Sequence, residues 1–160
     1  MMEKPQKSPF YSQGVHFSCT RCSACCRHES GFVFLSQKDV SALTAALGME
    51  YSEFVAVYCR WVPTGGSGQQ LSLKEKSNYD CILWSSEQNG CSVYNARPVQ
   101  CRAFPFWSSV LRSEKDWKST ALDCPGVDHG ELVPFDTIEK WLAVRRNEPI
   151  ISRNSTENAE

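Results

Sequence analysis

Residues 19–26 read Cys19-Thr20-Arg21-Cys22-Ser23-Ala24-Cys25-Cys26, and this octapeptide decides how the rest of the chain is read. Its C-x2-C-x2-C spacing matches the first three ligands of a ferredoxin-type run, in which one tight loop gives three sulfurs to a single polymetal cluster. The fourth ligand of that run, three residues on and followed by proline, is absent. A Cys-Pro dipeptide occurs only at Cys124-Pro125. A single C-x2-C fits zinc, redox chemistry or iron–sulfur equally well, so the triple spacing carries the signal. Adjacent Cys25 and Cys26 are expected on opposite faces of extended backbone. One could then close the loop while the other serves a second centre, or a second iron of the same cluster.

Outward from the octapeptide lie Cys59, Cys81, Cys91, Cys101 and Cys124, which bring the total to nine cysteines in 160 residues. Nine cannot all pair within one chain. The first fourteen residues are polar, with two prolines and no apolar stretch of signal-peptide type, and the run Phe32-Val33-Phe34-Leu35 is far too short to span a bilayer. The sequence therefore predicts a reducing, cytoplasmic setting with no membrane segment, where clustered cysteines hold metal more often than disulfides. Lys plus Arg number 17 against 18 Asp plus Glu, a formal net charge of −1. That balance excludes a bulk electrostatic role on nucleic acid or on an anionic membrane face.

The expected class is α+β: one small domain of short helices and hairpins, with much irregular chain organised around the cysteines. Residues 1–14 read as a flexible lead-in, 15–150 as the cysteine-cluster metal-binding domain and 151–160 as a disordered polar tail. Phe32–Leu35 reads as a strand. Ser36 with Asp39 three residues on reads as a helix N-cap, Val40, Leu43, Ala46 and Leu47 fall at helical spacing, and Gly48 ends the run. A second helix is expected from Ser52 to about Trp61, before Pro63. Strand-like pieces follow at 70–74, 81–84 and 91–94, the last two separated by a hairpin-length loop holding Asn89-Gly90. Pro98 suits the start of a short helix carrying Cys101. Residues 106–111 and 116–122 are expected to form another hairpin, and Asp136 to cap a last helix carrying Ile138, Trp141, Leu142 and Arg145.

Taken together, Cys19-x2-Cys22-x2-Cys25-Cys26, Cys81, Gly90-Cys91-Ser92-Val93-Tyr94, Arg97-Pro98-x2-Cys101-Arg102-x-Phe104-Pro105-Phe106 and Cys124-Pro125-Gly126 resemble the CxxCxxCC family. These YkgJ-like cysteine-cluster proteins are described as zinc- or iron-chelating domains or as Fe–S-cluster proteins. The resemblance covers roughly residues 15–130. It implies a metal ligand set of Cys19, Cys22, Cys25, Cys26, Cys81, Cys91, Cys101 and Cys124, enough for two four-thiolate sites, with Cys59 outside the pattern as a structural thiol on the second helix. The family includes flagellin lysine methylases, but those are longer, with sequence this chain lacks, so membership implies a metal site and no particular reaction.

Arg97 and Arg102 flank Cys101, and a guanidinium near several thiolates offsets their charge and lowers their pKa values. Both are therefore candidate cofactor-binding residues, with structural ion pairing as the alternative. Trp84, Tyr94, Phe104, Phe106 and Trp107 are candidates to shield the centre, or ordinary core. His16, His28 and His129 sit near cysteines and read as solvent-facing more than as ligands. No hydrolytic triad, nucleotide loop or RNA-binding signature is present. Two readings follow. One is an iron–sulfur protein, [4Fe–4S] by its spacing, with a redox or modification-substrate protein as partner. The other is a zinc-stabilised interaction module without chemistry of its own.

Overall fold

The computed structural model describes residues 7–155, and Cα packing divides the chain into two compact units, Met1–Cys22 with Pro105–Ala143 and Ser23–Phe104 with Val144–Glu160. Each is mixed α+β, built of short helices and small antiparallel sheets. Among the described residues no helix is long and apolar enough to cross a membrane.

In the second unit the Ser36 cap forms as a full reciprocal box. The Ser36 hydroxyl accepts from the Asp39 N–H at 3.2 Å and the Asp39 carboxylate accepts from the Ser36 N–H at 2.9 Å. Helix α1 (Gln37–Leu47) ends at Gly48, whose φ of 64° lets the last turn close in the left-handed region. Helix α2 (Tyr51–Tyr58) stops earlier than its apolar pattern suggests. Cys59 is not helical but opens strand β2 (Cys59–Pro63), because Trp61 and Val62 favour an extended chain and pair with Leu71 and Gln70 of β3 (Gly68–Leu73). Residues 32–35 run extended but join this sheet only through isolated pairing, Leu35 N–H to Leu71 C=O at 3.0 Å and Leu73 N–H to Val33 C=O at 3.0 Å. Leu35, Val40, Leu43, Phe54, Leu71 and Leu73 form an aliphatic core with Phe54 at its centre.

Two features depart from the expected tail and hairpins. Ser152–Asn154, inside the stretch read as a loose tail, forms a strand on the edge of β3, while residues 156–160 lie outside the described chain. The hairpin beyond Asp80 is shorter than expected: β4 (Trp84–Ser85) and β5 (Gly90–Cys91), with Cys81 in an isolated bridge to Glu75 just before it. Helix α3 (Val99–Ala103) follows Pro98 as expected.

The first unit packs an aromatic core: Tyr11, Phe106 and Trp117 with Val15, Val127 and Ile138. Tyr11 belongs to the stretch read as a flexible lead-in, yet it is buried and donates to Glu139 at 3.0 Å; residues 1–6 lie outside the described chain. Strand β1 (Val15–Phe17) pairs with a longer β6 (Val127–Val133). The hairpin expected at 106–122 does not form. Ser113 caps helix α4 (Glu114–Thr120), its hydroxyl accepting from the Asp116 N–H at 3.1 Å, so the second half of that stretch is helical. The expected last helix forms as α5 (Phe135–Asn147), but Asp136 lies inside its first turn and does not cap it.

Candidate metal centre

The fold of the second unit gathers Cys25, Cys26, Cys81, Cys91 and Cys101. Ser23 adopts a left-handed conformation (φ 67°) and Ala24–Cys26 follow as a 3-10 turn. This corrects the expectation of extended backbone. Instead of facing apart, the Cys25 and Cys26 sulfurs stand 3.8 Å from each other. The Cys81 N–H donates to the Cys26 carbonyl at 2.7 Å, which ties the two segments together. The next residues reinforce the tie, Arg27 Nε donating to buried Asp80 at 3.0 Å.

Cys101 is delivered by the α1 cap. The other oxygen of Asp39 accepts from the Val99 N–H at 2.8 Å, anchoring the first turn of α3. Gln100 fixes the helix again, accepting from the Phe34 N–H at 3.0 Å and donating to the Phe32 carbonyl at 2.7 Å. A buried carboxylate with two backbone donors is a rigid anchor, and it sets where the Cys101 sulfur can lie.

The thiols act on one another. The hydrogen bond from Cys26 lowers Cys25 to about 7 against the pull of burial, with the Arg97 charge assisting. Its partner moves the opposite way. Cys26 is pushed far up by sharing that hydrogen bond, by burial, and by the charges of Cys25, Cys101 and Cys81. Such a pair shares one proton between two sulfurs. Burial raises Cys101 strongly, the Cys81, Cys25 and Cys91 charges add to it, and Arg97 opposes them. Burial also raises Cys81 and Cys91, and the backbone dipoles at Leu83 and Trp84, and at Val93, work against that rise.

Arg97 is the guanidinium that acts on Cys25, Cys91 and Cys101. It is held at 3.7 Å over the Tyr94 ring and donates to the Tyr94 carbonyl at 2.9 Å. Arg102 is exposed and donates to the Arg97 carbonyl at 3.0 Å. Of the proposed aromatic shield, Trp84 lies across from Cys91, Tyr94 lies under Arg97 and Phe104 falls in this unit, whereas Phe106 and Trp107 belong to the aromatic core of the first unit. Arg27, Lys76 and Asp80 were not singled out by their spacing. The signal available was position, since Arg27 directly follows Cys26 and Asp80 directly precedes Cys81.

In the first unit Cys19 and Cys22 are exposed, and Cys124 is half-buried against the aromatic core. The Arg21 N–H donates to the Cys19 sulfur at 3.4 Å. The Ser18 N–H donates to the Gly126 carbonyl at 3.3 Å, which brings the end of β1 beside the Cys124-Pro125-Gly126 segment. A Cβ on Gly126 would fall against the Ser18 carbonyl oxygen, so only glycine permits that approach. His16, His28 and His129 are exposed, and His16 and His129 direct Nδ1 to the Gly130 and Val127 carbonyls at 2.9 Å. Cys59 is buried in the aliphatic core, and that burial pushes its thiol up to about 12.

Among the described residues, no three His, Cys, Asp or Glu side chains already form a coordination shell. The chemistry of the donor set nonetheless fits a soft cation. Cys26, Cys81, Cys91 and Cys101 resist ionisation through burial and through the charge of neighbouring thiolates, while Cys25 ionises readily, and a bound cation removes that penalty by deprotonating its ligands. Thiolate donors with no interleaved carboxylate or imidazole suit zinc or iron–sulfur and not calcium or magnesium.

Residues 18–125 match the CxxCxxCC family, whose description reads "Putative zinc- or iron-chelating domain". A relative, an uncharacterised protein of Methanocaldococcus jannaschii, is 26% identical over 106 residues, 66% of this chain and 53% of the relative. The match therefore spans about half of that relative's length. No solved structure matches the chain.

Proposed function

The chain belongs to the CxxCxxCC family of zinc- or iron-chelating domains, and from that premise we propose that it is an iron–sulfur protein with a redox role. The ligand thiolates are drawn from Cys19, Cys22, Cys25, Cys26, Cys81, Cys91, Cys101 and Cys124. The centre is a [4Fe–4S] cluster, its setting the cytoplasm and its partner a redox or modification-substrate protein. When bound, such a cluster supplies one-electron chemistry. The chain's own residues hold the sulfurs, and Arg97 offsets their negative charge.

The observation that supports this reading is the vicinal pair, Cys25 and Cys26 at 3.8 Å, with Cys81 and Cys101 close enough for their charges to raise Cys26. Sulfurs crowded on one locus match a polymetal core, which needs several thiolates close together. The test is the visible spectrum of anaerobically purified protein, with iron, acid-labile sulfide and zinc measured on the same sample. Iron and sulfide in equal amounts, with absorption that bleaches on reduction, support the cluster.

A zinc-stabilised module is the second reading, and one observation favours it. Cys81 stands in a single bridge with Glu75 just before the hairpin and Cys91 ends its second strand, and mononuclear zinc takes ligands in pairs from neighbouring chain segments. A colourless protein with stoichiometric zinc after iron-supplemented anaerobic expression selects it.

A further inference from the structure

Trp84 opens β4 directly across from Cys91 in the hairpin. Cross-strand partners carry their side chains on the same face, with Cβ atoms about 5 Å apart. The Trp84 N–H donates to the Cys81 carbonyl at 2.9 Å. The residue thus sits between two of the unit's thiols, with only 8% of it exposed.

Its ring is held on purpose-built contacts. The Arg27 guanidinium carbon lies 3.8 Å from the ring centroid, and that guanidinium is itself fixed by Asp80 at 3.0 Å. The Lys76 ammonium lies 6.0 Å from the same centroid and donates to the Trp84 carbonyl at 2.7 Å. Those contacts need only an aromatic face, which phenylalanine also offers. The indole N–H is different. It is buried and has no acceptor among the described residues, and a buried donor left unmet is costly. Metal-bound thiolate or sulfide is a strong acceptor, and metal binding turns the ligating thiols of this neighbourhood, most of which resist ionisation, into full anions.

We propose that the Trp84 indole N–H donates a hydrogen bond to a metal-bound sulfur of the thiol cluster. It is a positioning residue, it orients and charge-stabilises a ligand from outside the ligand set, and the assignment rests on the metal-centre reading above.

Cadmium ion alone is the probe, because it is soft enough for thiolates, diamagnetic, and reports thiolate ligation by ultraviolet charge-transfer absorption. The full chain, 15N-labelled and reduced, is titrated anaerobically while its indole N–H signals are followed. The Trp84 signal is assigned through its own backbone connectivities. The expected result is a cadmium–thiolate band together with a downfield move of the Trp84 indole proton and at least tenfold slower solvent exchange. Trp84→Phe, which keeps the ring under Arg27, is expected to bind cadmium about tenfold more weakly against a competing chelator. A cadmium–thiolate band with an unmoved Trp84 signal overturns the assignment, whatever the variant does. No band at all overturns the metal centre itself, and this assignment with it.

Discussion

The two units treat their cysteines differently, although the octapeptide 19–26 supplies both. On the first unit's side of the sequence, Cys19 and Cys22 are exposed and the buried groups are aromatic, Trp117 and Phe106 stacked with centroids 6.3 Å apart. In the second unit Cys25 is exposed as well, but its sulfur stands 3.8 Å from that of half-buried Cys26, and Cys81 and Cys91 pack partly buried against an aliphatic core. The same motif thus contains thiols in two physical settings. Reactivity and metal affinity follow from neighbours and burial, and the spacing alone does not report them.

The largest expected effect separates the clustered thiols from the core thiol. Cys101→Ser should lose most of the bound metal, because a serine hydroxyl is a poor soft-metal ligand and α3 has nothing else to offer in its place. Cys59→Ser should keep the metal at the wild-type ratio, measured by elemental analysis of purified protein. If Cys59→Ser empties the protein while Cys101→Ser does not, the division between cluster and core is wrong.

Much of this division was legible beforehand. The Ser36/Asp39 box forms as expected because it depends on residues three positions apart. The relation of Cys25 to Cys26 does not, since it depends on left-handed backbone at Arg21 (φ 55°) and Ser23 (φ 67°), which non-glycine residues seldom adopt and sequence does not announce. Strand β6 was missed for another reason. Residues 128–132 are exposed, so no apolar alternation marks it. Helix α4 carried a usable signal in Ser113-x-x-Asp116, outweighed by the aromatic and apolar residues on either side. Cys59 opens β2 and does not lie on α2, because residues 54–59 run apolar across the boundary and only pairing with β3 decides where the helix stops.

The next effect compares the two cores. Phe54→Ala in the aliphatic core and Trp117→Ala in the aromatic one should each cost about 3–5 kcal/mol in denaturant unfolding. Trp117→Ala should fall at the upper end, because it removes the larger ring together with the indole N–H bond to Asp128 at 2.7 Å. Near-zero loss at either site would mean that its core contributes little to the folded state.

A smaller effect tests the link from cap to ligand. Asp39→Ala removes the bonds to the Ser36 and Val99 N–H groups together and should cost about 1–3 kcal/mol. It should also speed alkylation of Cys101 more than that of Cys91, since only α3 loses its anchor. Equal acceleration at both thiols would place the anchor elsewhere.

The smallest effect is a shift in pH profile. In metal-free protein the alkylation rate of Cys25 should rise with pH through a midpoint of about 7, since the thiolate is the nucleophile. Cys26→Ala removes the largest lowering influence, so the midpoint should climb toward the ordinary thiol value of about 8.5. Mass spectrometry of timed alkylation reads both. A midpoint unchanged by Cys26→Ala would mean that the two sulfurs do not share a proton.

The central claim, a metal centre made of this chain's thiolates, is tested most directly by X-ray absorption at the metal edge of anaerobically isolated protein. The account predicts an iron edge with a first shell of sulfur alone and a metal–metal scatterer just beyond it. A first shell of nitrogen or oxygen, or protein that carries no stoichiometric metal at all, would contradict it.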